Sequence, residues 1–105
     1  MRIVWLEDAR NDLEDIYRFV AQNSERSAVG IHNEIYDRAG KLMTFPHLGK
    51  VDPLLNEDDS AVYRSLIVRR TYKIVYKVDN EIVYIIAIWD CRQNPEILPV
   101  KVKNK

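Results

Sequence analysis

The sequence predicts an α+β fold in the order β-α-α-β-β-β, with a helical hairpin packed on one face of a small, mainly antiparallel twisted sheet. Apolar residues recur at helical spacing through two consecutive segments of the first half. Apolar and charged residues then alternate between Tyr72 and Val78, which is the period of a half-buried strand. The run from Ile82 to Trp89 is apolar throughout and has the length of a buried strand.

The composition is typical of one globular domain. The 105 residues are 47% hydrophobic and 30% charged, and a chain of this length can bury a core without disulfides or a metal. We expect residues 1–105 to form a single domain, with the tail at about 96–105 either covering the sheet or frayed. No apolar run has the length of a membrane span, and no signal peptide is visible at the start. A cytoplasmic protein is therefore expected.

The cysteine and histidine content argues against a metal site. Cys91 is the only cysteine, which excludes an internal disulfide and fits a reducing compartment. His32 and His47 are the only histidines, so no ligand cluster of recognisable spacing is available. We expect no metal or cofactor, a buried or half-buried structural role for Cys91, and surface positions for both histidines.

The first strand is predicted at Arg2–Leu6, and a helix begins near Glu7. Glu7 and Asp8 suit the positive end of a helix, although Leu6 is a poor N-cap. The residues expected on the buried face of this helix are Ala9, Leu13, Ile16, Tyr17 and Val20, whereas Asp12, Glu14, Asp15 and Arg18 are expected to point to solvent.

A second helix is predicted from the N-cap Ser24 to about Phe45. Its apolar stripe consists of Ala28, Ile31, Ile35, Ala39, Leu42 and Met43. The short connection between the helices implies an antiparallel hairpin on one sheet face. Pro46 ends the second helix and opens a turn that closes at Gly49. The acidic loop near 50–60 either shields the sheet or simply links helix to strand.

Three strands follow, at about Val62–Val68, Tyr72–Val78 and Ile82–Trp89, with a tight turn at Asp79-Asn80 between the last two. In the middle strand, Lys73 and Lys77 face away from the apolar residues. The last strand is apolar at both parities, so it is predicted to be central and buried on both faces. Two helices cover only one face. The other face therefore needs a cover, and the candidates are the tail at Pro95–Val102, a second copy of the chain or a partner helix.

Charge is distributed unevenly along the chain. The chain has 16 basic and 16 acidic residues, but the segment from Ser60 to Val78 carries five cations and no acid, which leaves 11 basic residues elsewhere. These cations are Arg64, Arg69, Arg70, Lys73 and Lys77. The pattern indicates either a basic surface for an anionic partner or a solvated strand surface in which lysines discourage pairing.

Four parts of the sequence occur together in a known order. They are the opening Trp5–Ile16, the Phe-Pro-x-x-Gly turn at Phe45–Gly49, the strand pair Tyr63–Leu66 and Tyr72–Val78, and the strand end Trp89–Arg92. Together they span about residues 2–95 and resemble the RelE/ParE superfamily of small bacterial toxins. These proteins are the toxic halves of type II toxin–antitoxin systems and are often labelled plasmid-stabilisation proteins.

The resemblance implies a toxin that arrests growth and a cognate antitoxin that wraps and neutralises it. RelE-like members cleave messenger RNA in the ribosome, whereas ParE-like members inhibit DNA gyrase without a known active site of their own. A degenerate member would only bind an antitoxin-like partner. The oligomeric state is left open between a homodimer and a toxin–antitoxin hetero-oligomer.

For RNA-cleaving members, the resemblance places cations at Arg64, Lys73 and Arg92, where they would stabilise charge on the phosphate. Asp90 stands where members often carry a histidine, and it would have to act as the general base. However, Arg92 would lower the pKa of Asp90, which favours an ion pair that holds the strand end. No aromatic residue or histidine follows Trp89 to complete the acid–base set.

Tyr63, Arg69, Arg70 and Lys77 complete the candidate binding surface. Tyr63 could stack on a base, and Lys77 could extend the basic patch. Arg69 and Arg70 lie at a strand-to-strand turn, where they either bind a partner or are merely solvated. Because the acid–base set is incomplete, we favour a ParE-like inhibitor of gyrase over a ribosome-dependent endoribonuclease, and leave open whether the chain is an enzyme.

Overall fold

A computed structural model describes residues 1–55 and 62–93 of the chain. The elements are β1 Arg2–Trp5, α1 Glu7–Ala21, α2 Glu25–Gly40, a 3₁₀ turn Lys41–Met43, β2 Lys50–Val51, β3 Arg64–Val68, β4 Tyr72–Asp79 and β5 Ile82–Asp90. Two helices lie on one face of a five-stranded sheet of order β1-β5-β4-β3-β2. β1 is parallel to β5, and the other neighbours are antiparallel. The predicted fold class is therefore confirmed, with one added strand.

Two predicted boundaries are wrong, and one short strand was not predicted. α2 ends at Gly40 rather than near Phe45, because the chain tightens into the 3₁₀ turn, and Met43 is left 50% exposed instead of buried. The two-residue strand β2 lies where only a loop was predicted, since so short a strand has no periodic signal. The β4–β5 turn is at Asn80–Glu81, one residue later than predicted, and both residues have positive φ.

The junction between β1 and α1 determines how the helix meets the sheet. The N–H of Leu6 donates to the Ile85 carbonyl at 3.0 Å, after which the chain leaves the sheet as α1. β5 continues past this point without β1 beside it. In that part of β5, Asp12 of α1 supplies a hydrogen-bond acceptor: its Oδ2 accepts the N–H of Ile88 at 3.1 Å. The prediction that Asp12 points to solvent is therefore wrong.

Asp12→Ala is expected to destabilise the chain by about 1–2 kcal/mol, because it leaves the part-buried N–H of Ile88 without this acceptor. Asp15→Ala, at an exposed position of the same helix, is the matched control and should change stability by less than about 0.5 kcal/mol. Urea unfolding of both variants measures the difference. Equal stabilities would mean that the Asp12 contact contributes nothing.

The main core lies between the helical hairpin and the sheet. Ser24 begins α2 as predicted, since its Oγ accepts the N–H of Ser27 at 3.1 Å. The buried residues of this core are Ala9, Leu13, Ile35, Ala39, Leu42, Leu66, Val68, Tyr72, Ile74, Tyr76, Val83, Ile85 and Ile88.

None of the helices found in residues 1–55 and 62–93 is both long and apolar enough for a membrane span.

β5 is buried on both faces, as predicted, and a bulge changes its alternation. Tyr76 pairs with Ile85 while Val75 pairs with Ala87, which leaves Ile86 as the extra residue. A second cluster forms on the sheet face opposite the helices, which we call the second face. It contains Leu55, Val75, Ile86, Ala87 and Trp89.

Part of the cover of the second face comes from the chain itself. Leu55, a loop residue, is 0% exposed and packs in the second cluster. Leu55 belongs to the acidic loop near 50–60, so its position agrees with the alternative in which that loop shields the sheet. The predicted cover by the tail at Pro95–Val102 lies outside the described residues.

Candidate functional site

Arg64 forms a hydrogen bond to the turn at Gly49, at the edge of the sheet. It pairs with Tyr76 and has the parity of Leu66, which faces the helices. Its Nη1 donates to the Gly49 carbonyl at 2.9 Å. The Gly49 N–H donates to the Tyr76 hydroxyl at 2.9 Å, and that hydroxyl donates to the Pro46 carbonyl at 2.8 Å. Burial raises the pKa of Tyr76, and the Gly49 N–H and the Arg64 charge offset this only in part, so the hydroxyl keeps its proton.

Lys73 lies on the second face, where a carboxylate neutralises it. Its Nζ is 2.7 Å from Oδ2 of Asp52, and the two side chains are only 12% and 4% exposed. The same oxygen accepts the Ser65 hydroxyl at 2.5 Å, and Oδ1 accepts the N–H of Leu54 at 3.0 Å. Lys73 is therefore a partner of the loop rather than an uncompensated cation.

The Asp52 carboxylate is held in its ionised form. Burial alone would raise the pKa of Asp52, but the hydrogen bonds from Lys73, Ser65 and Leu54 together outweigh it. The pKa of Asp52 is consequently below its ordinary value of 3.8. This anion secures the loop against the second face at neutral pH.

Asp90 and Arg92 form the ion pair that the sequence predicts. Arg92 Nε donates to Oδ1 at 3.0 Å, and Nη2 donates to Oδ2 at 2.7 Å. The backbone N–H of Arg92 also donates to Oδ1 at 2.9 Å. The Arg92 side chain lowers the pKa of Asp90 and outweighs partial burial, while Asp90 in turn raises the pKa of Arg92. Asp90 is therefore an anion locked at the end of β5, and the Arg92 side chain stays 64% exposed.

The four predicted catalytic residues do not form one group. Arg64 pairs with Tyr76 and Asp90 pairs with Tyr72, four positions apart on β4 and so separated by about 13 Å along the strand. Asp90 and Arg92 line a depression beside α1, whereas Lys73 lies on the second face. No acid–base pair is thus assembled around a shared phosphate position within the described residues.

The two turn arginines are exposed and adopt unusual backbone conformations. Arg69 and Arg70 have φ of 54° and 60° at the β3–β4 turn, where glycine, asparagine or aspartate is usual. Arg69 Nε donates to Glu34 of α2 at 3.1 Å, which ties the turn to the helical hairpin. Arg70 makes no ion pair with any residue of the described segments.

Lys77 and Tyr63 both belong to the second face. Lys77 Nζ lies 5.9 Å from the centre of the Tyr84 ring, at the distance of a cation–π contact. Tyr63 is half-buried and packs against the second cluster. The five cations of the basic stretch are therefore divided between the second face, the β3–β4 turn and the Gly49 turn, because strand alternation and turns separate them.

The remaining polar candidates have modest roles. Cys91 is exposed rather than buried or half-buried, because it follows the last residue of β5. Partial desolvation and the neighbouring carboxylates raise the pKa of the Cys91 thiol despite the nearby Lys73, which disfavours a nucleophilic thiolate. His47 is on the surface, as predicted, whereas His32 is half-buried and stacks on Tyr36 with ring centres 6.4 Å apart.

Sequence reasoning singled out neither Asp52, which holds Lys73, nor Phe19, which lines two surface depressions. Asp52 lies in an irregular loop, and no pattern distinguishes it from the other acids of that loop. Phe19 did carry a signal, because it is a large apolar residue outside the predicted stripe of α1. It is 62% exposed.

Comparison with known proteins identifies the family. The family model described as "ParE toxin of type II toxin-antitoxin system, parDE" matches residues 3–95. A chain from the solved structure "Chromosomal ParDE TA system from P. aeruginosa" is 22% identical, with 86% of this chain and 95% of that chain covered and a TM-score of 0.69. No curated protein matches the chain. The structural likeness supports the fold, and the family match confirms the RelE/ParE resemblance and favours its ParE side. The chain belongs to the ParE toxin family of type II toxin–antitoxin systems.

Proposed function

We propose that this toxin arrests growth by binding and inhibiting DNA gyrase in the cytoplasm, and that the cognate antitoxin implied by its family neutralises it. The observation that carries the proposal is the locked pair of Asp90 and Arg92. Asp90 stands at the position of an acid–base residue, but it is held in an ion pair with Arg92, whose guanidinium is exposed. Such a group can bind but is a poor proton carrier.

The contacts of the other candidates also support binding over RNA cleavage. Metal-free RNA cleavage requires a base for the ribose hydroxyl, charge stabilisation at the phosphate and an acid for the leaving oxygen. Asp90 has a lowered pKa, Lys73 is paired with Asp52, and Arg64 is bound to the Gly49 carbonyl. We therefore assign none of these residues to proton transfer. Arg69, Arg70 and Arg92, at the β3–β4 turn and just after β5, form one proposed binding surface, and Tyr63 and Lys77 form a separate one on the second face.

Arg92→Ala is expected to abolish growth arrest while the fold is kept, because the side chain is exposed and contributes mainly its charge. The purified variant should need about tenfold or more protein to inhibit supercoiling by gyrase, which corresponds to the loss of one charge-assisted hydrogen bond. Arg18→Ala is the matched control, since Arg18 is 69% exposed and paired with Glu14 on α1. That control should retain both activities.

Other outcomes would redirect the proposal. Messenger RNA cut within ribosome-bound codons, with gyrase unaffected, would identify an endoribonuclease. Full toxicity of the Arg92→Ala variant would show that the proposed electrostatic surface is wrong. No growth effect of the unmodified chain in cells lacking the antitoxin gene would indicate a degenerate member.

A further inference from the structure

We propose that the chain forms a homodimer through the outward side of α2, with the two copies of the helix antiparallel about a two-fold axis at Asn33. Four residues define this surface, which we call the α2 seam: Arg26, Val29, Asn33 and Tyr36. Their spacing of three, four and three residues places them on one side of the helix, as in the contact seam of a coiled coil. All four are exposed, and the buried residues of α2 lie on a different side of the helix.

The apolar part of the α2 seam is left exposed by the packing of the helical hairpin. Val29 is 43% exposed and Tyr36 is 57% exposed. The Tyr36 ring is nevertheless fixed, because it stacks on Trp5 at 5.9 Å and on His32 at 6.4 Å between ring centres. A ring that is already held loses little side-chain freedom when a second surface covers it. Tyr36 is therefore suited to be the anchor of an interface, a role in which tyrosine is enriched.

Two depressions beside the α2 seam offer space for the apolar side chains of a second copy. They share His32 in their walls. One, of about 320 Å³, is bordered by Val29 and Tyr17, and the other, of about 580 Å³, is bordered by Tyr36 and Trp5. In the antiparallel arrangement, Tyr36 of one copy lies opposite Val29 of the other, since they are three and four residues from the axis. Each seam therefore presents a ring and a hollow to its copy, which is the self-complementarity that a two-fold interface requires.

Asn33 provides the polar centre of the interface. Its Oδ1 lies 3.2 Å from Nδ1 of His32, and since an amide oxygen only accepts, this contact requires a proton on Nδ1. Within residues 1–55 and 62–93, no hydrogen bond uses the NH₂ group of Asn33. At the axis, each Asn33 can donate to the amide oxygen of the other copy and accept in return, because that oxygen has a second lone pair. A single polar pair in such a seam fixes the alignment of two helices.

Charge selects the antiparallel arrangement. Arg26 begins the α2 seam, and Asp37 lies beside its other end. Both are exposed, and neither makes an ion pair with any residue of the described segments. They are seven and four residues from Asn33 on opposite sides, so Arg26 of one copy lies within one helical turn of Asp37 of the other. A parallel pair would instead bring like charges together at both ends, which disfavours it.

Sedimentation equilibrium of the purified full chain tests the proposal. We expect a reversible dimer with a dissociation constant of about 10 µM, which suits an interface of one helix per copy. Tyr36→Ser should weaken self-association about tenfold or more, as for the loss of a central anchor. Phe19→Ser is the matched control, since Phe19 is 62% exposed and lines depressions beside Tyr72 and Arg92 rather than the seam. That control should associate as the unmodified chain does.

A charge exchange tests the alignment of the two helices. Arg26→Asp and Asp37→Arg should each weaken self-association about fivefold or more, because each places like charges together at both ends of the interface. An equal mixture of the two variants should associate more tightly than either alone, since every contact between them joins opposite charges. The double variant should regain the association of the unmodified chain. Asp15→Arg, an equal change of charge at an exposed position of α1, is the control and should have no effect.

These charge variants should keep the fold. Arg26→Asp adds an acid near the N-terminus of α2, and Asp37→Arg adds a base near its C-terminus, so both changes complement the helix dipole. Circular dichroism spectra of the two variants should therefore match that of the unmodified chain. Weaker association then reports the interface and not unfolding.

Four results would overturn the inference. One is a chain that stays monomeric at about 500 µM, far above the expected constant. A dimer that Tyr36→Ser leaves intact would use another surface, and a charge mixture no tighter than its components would exclude the antiparallel alignment. A monomeric chain whose Tyr36→Ser variant loses inhibition of supercoiling would assign the seam to gyrase instead. Because the seam contains none of the residues proposed to bind gyrase and the readout is mass, failure of the dimer leaves the gyrase proposal standing, and the converse also holds.

Discussion

Asp52→Ala is expected to destabilise the chain by about 3 kcal/mol, because it leaves the buried Lys73 ammonium without its carboxylate. Ser65 and the N–H of Leu54 would lose their acceptor in the same change. Leu55, three residues further along, depends on this attachment to stay in the second cluster. Equilibrium unfolding in urea at neutral pH measures the loss.

The contribution of Asp52 to the free energy of unfolding should decrease at acidic pH. The folded-state pKa of Asp52 lies below 3.8, so its ionised form is favoured by folding. The associated stability is complete above the unfolded pKa and is lost as the pH falls through the folded value. Compared with Asp52→Asn, the unmodified chain should therefore have a constant advantage between about pH 5 and 8 that shrinks below about pH 4.

A double variant separates the ion pair from the loop attachment. Lys73→Met added to Asp52→Asn removes both charges and keeps an amide for Ser65, so most of the lost stability should return. The control is Glu14→Gln, which breaks the exposed Glu14–Arg18 pair and should cost no more than about 0.5 kcal/mol. If Asp52→Ala were as mild as this control, the buried pair would have no role in holding the loop.

The fold was predictable because its signals are periodic and local. Helical spacing in residues 9–42 and the continuous apolar run of β5 each predict one kind of element and one kind of burial. Those elements combine in few ways, so the hairpin on a sheet with a central β5 followed from them. The bulge at Ile86 was not predictable, since both neighbouring parities of β5 are apolar and carry no register information.

The site was less predictable because its partners are distant in sequence. The pairing of Asp90 with Arg92 was foreseen, since the two charges lie two positions apart at the end of one strand. By contrast, Lys73 meets Asp52 across 21 positions, and Arg64 meets Gly49 across 15. The sequence shows that these cations exist, but only the folded chain shows that each already has a partner within the protein. This is why the predicted basic face proved to be divided.

The turn at Gly49 leads to the second large effect. Gly49→Ala is expected to destabilise the chain by about 3 kcal/mol, through overpacking and the loss of adjacent hydrogen bonds. An added Cβ would lie 2.7 Å from Cε1 of Tyr76 and 2.8 Å from the Ser65 carbonyl oxygen. That carbonyl belongs to the sheet backbone, and the Tyr76 ring is fully buried, so neither can move aside cheaply. The glycine is therefore required by close approach and not by a positive φ.

Gly40→Ala is the matched control for this prediction. A Cβ at Gly40 would meet nothing within 4 Å, and its φ of −59° and ψ of −31° suit alanine. That change should stabilise the chain by about 0.5 kcal/mol through the unfolded state. Thermal unfolding should thus move in opposite directions for the two glycines. If both variants gained stability, the Tyr76–Gly49 contact could not be tight, and the hydrogen bonds that fix the turn and orient Arg64 would have to be looser than 2.9 Å.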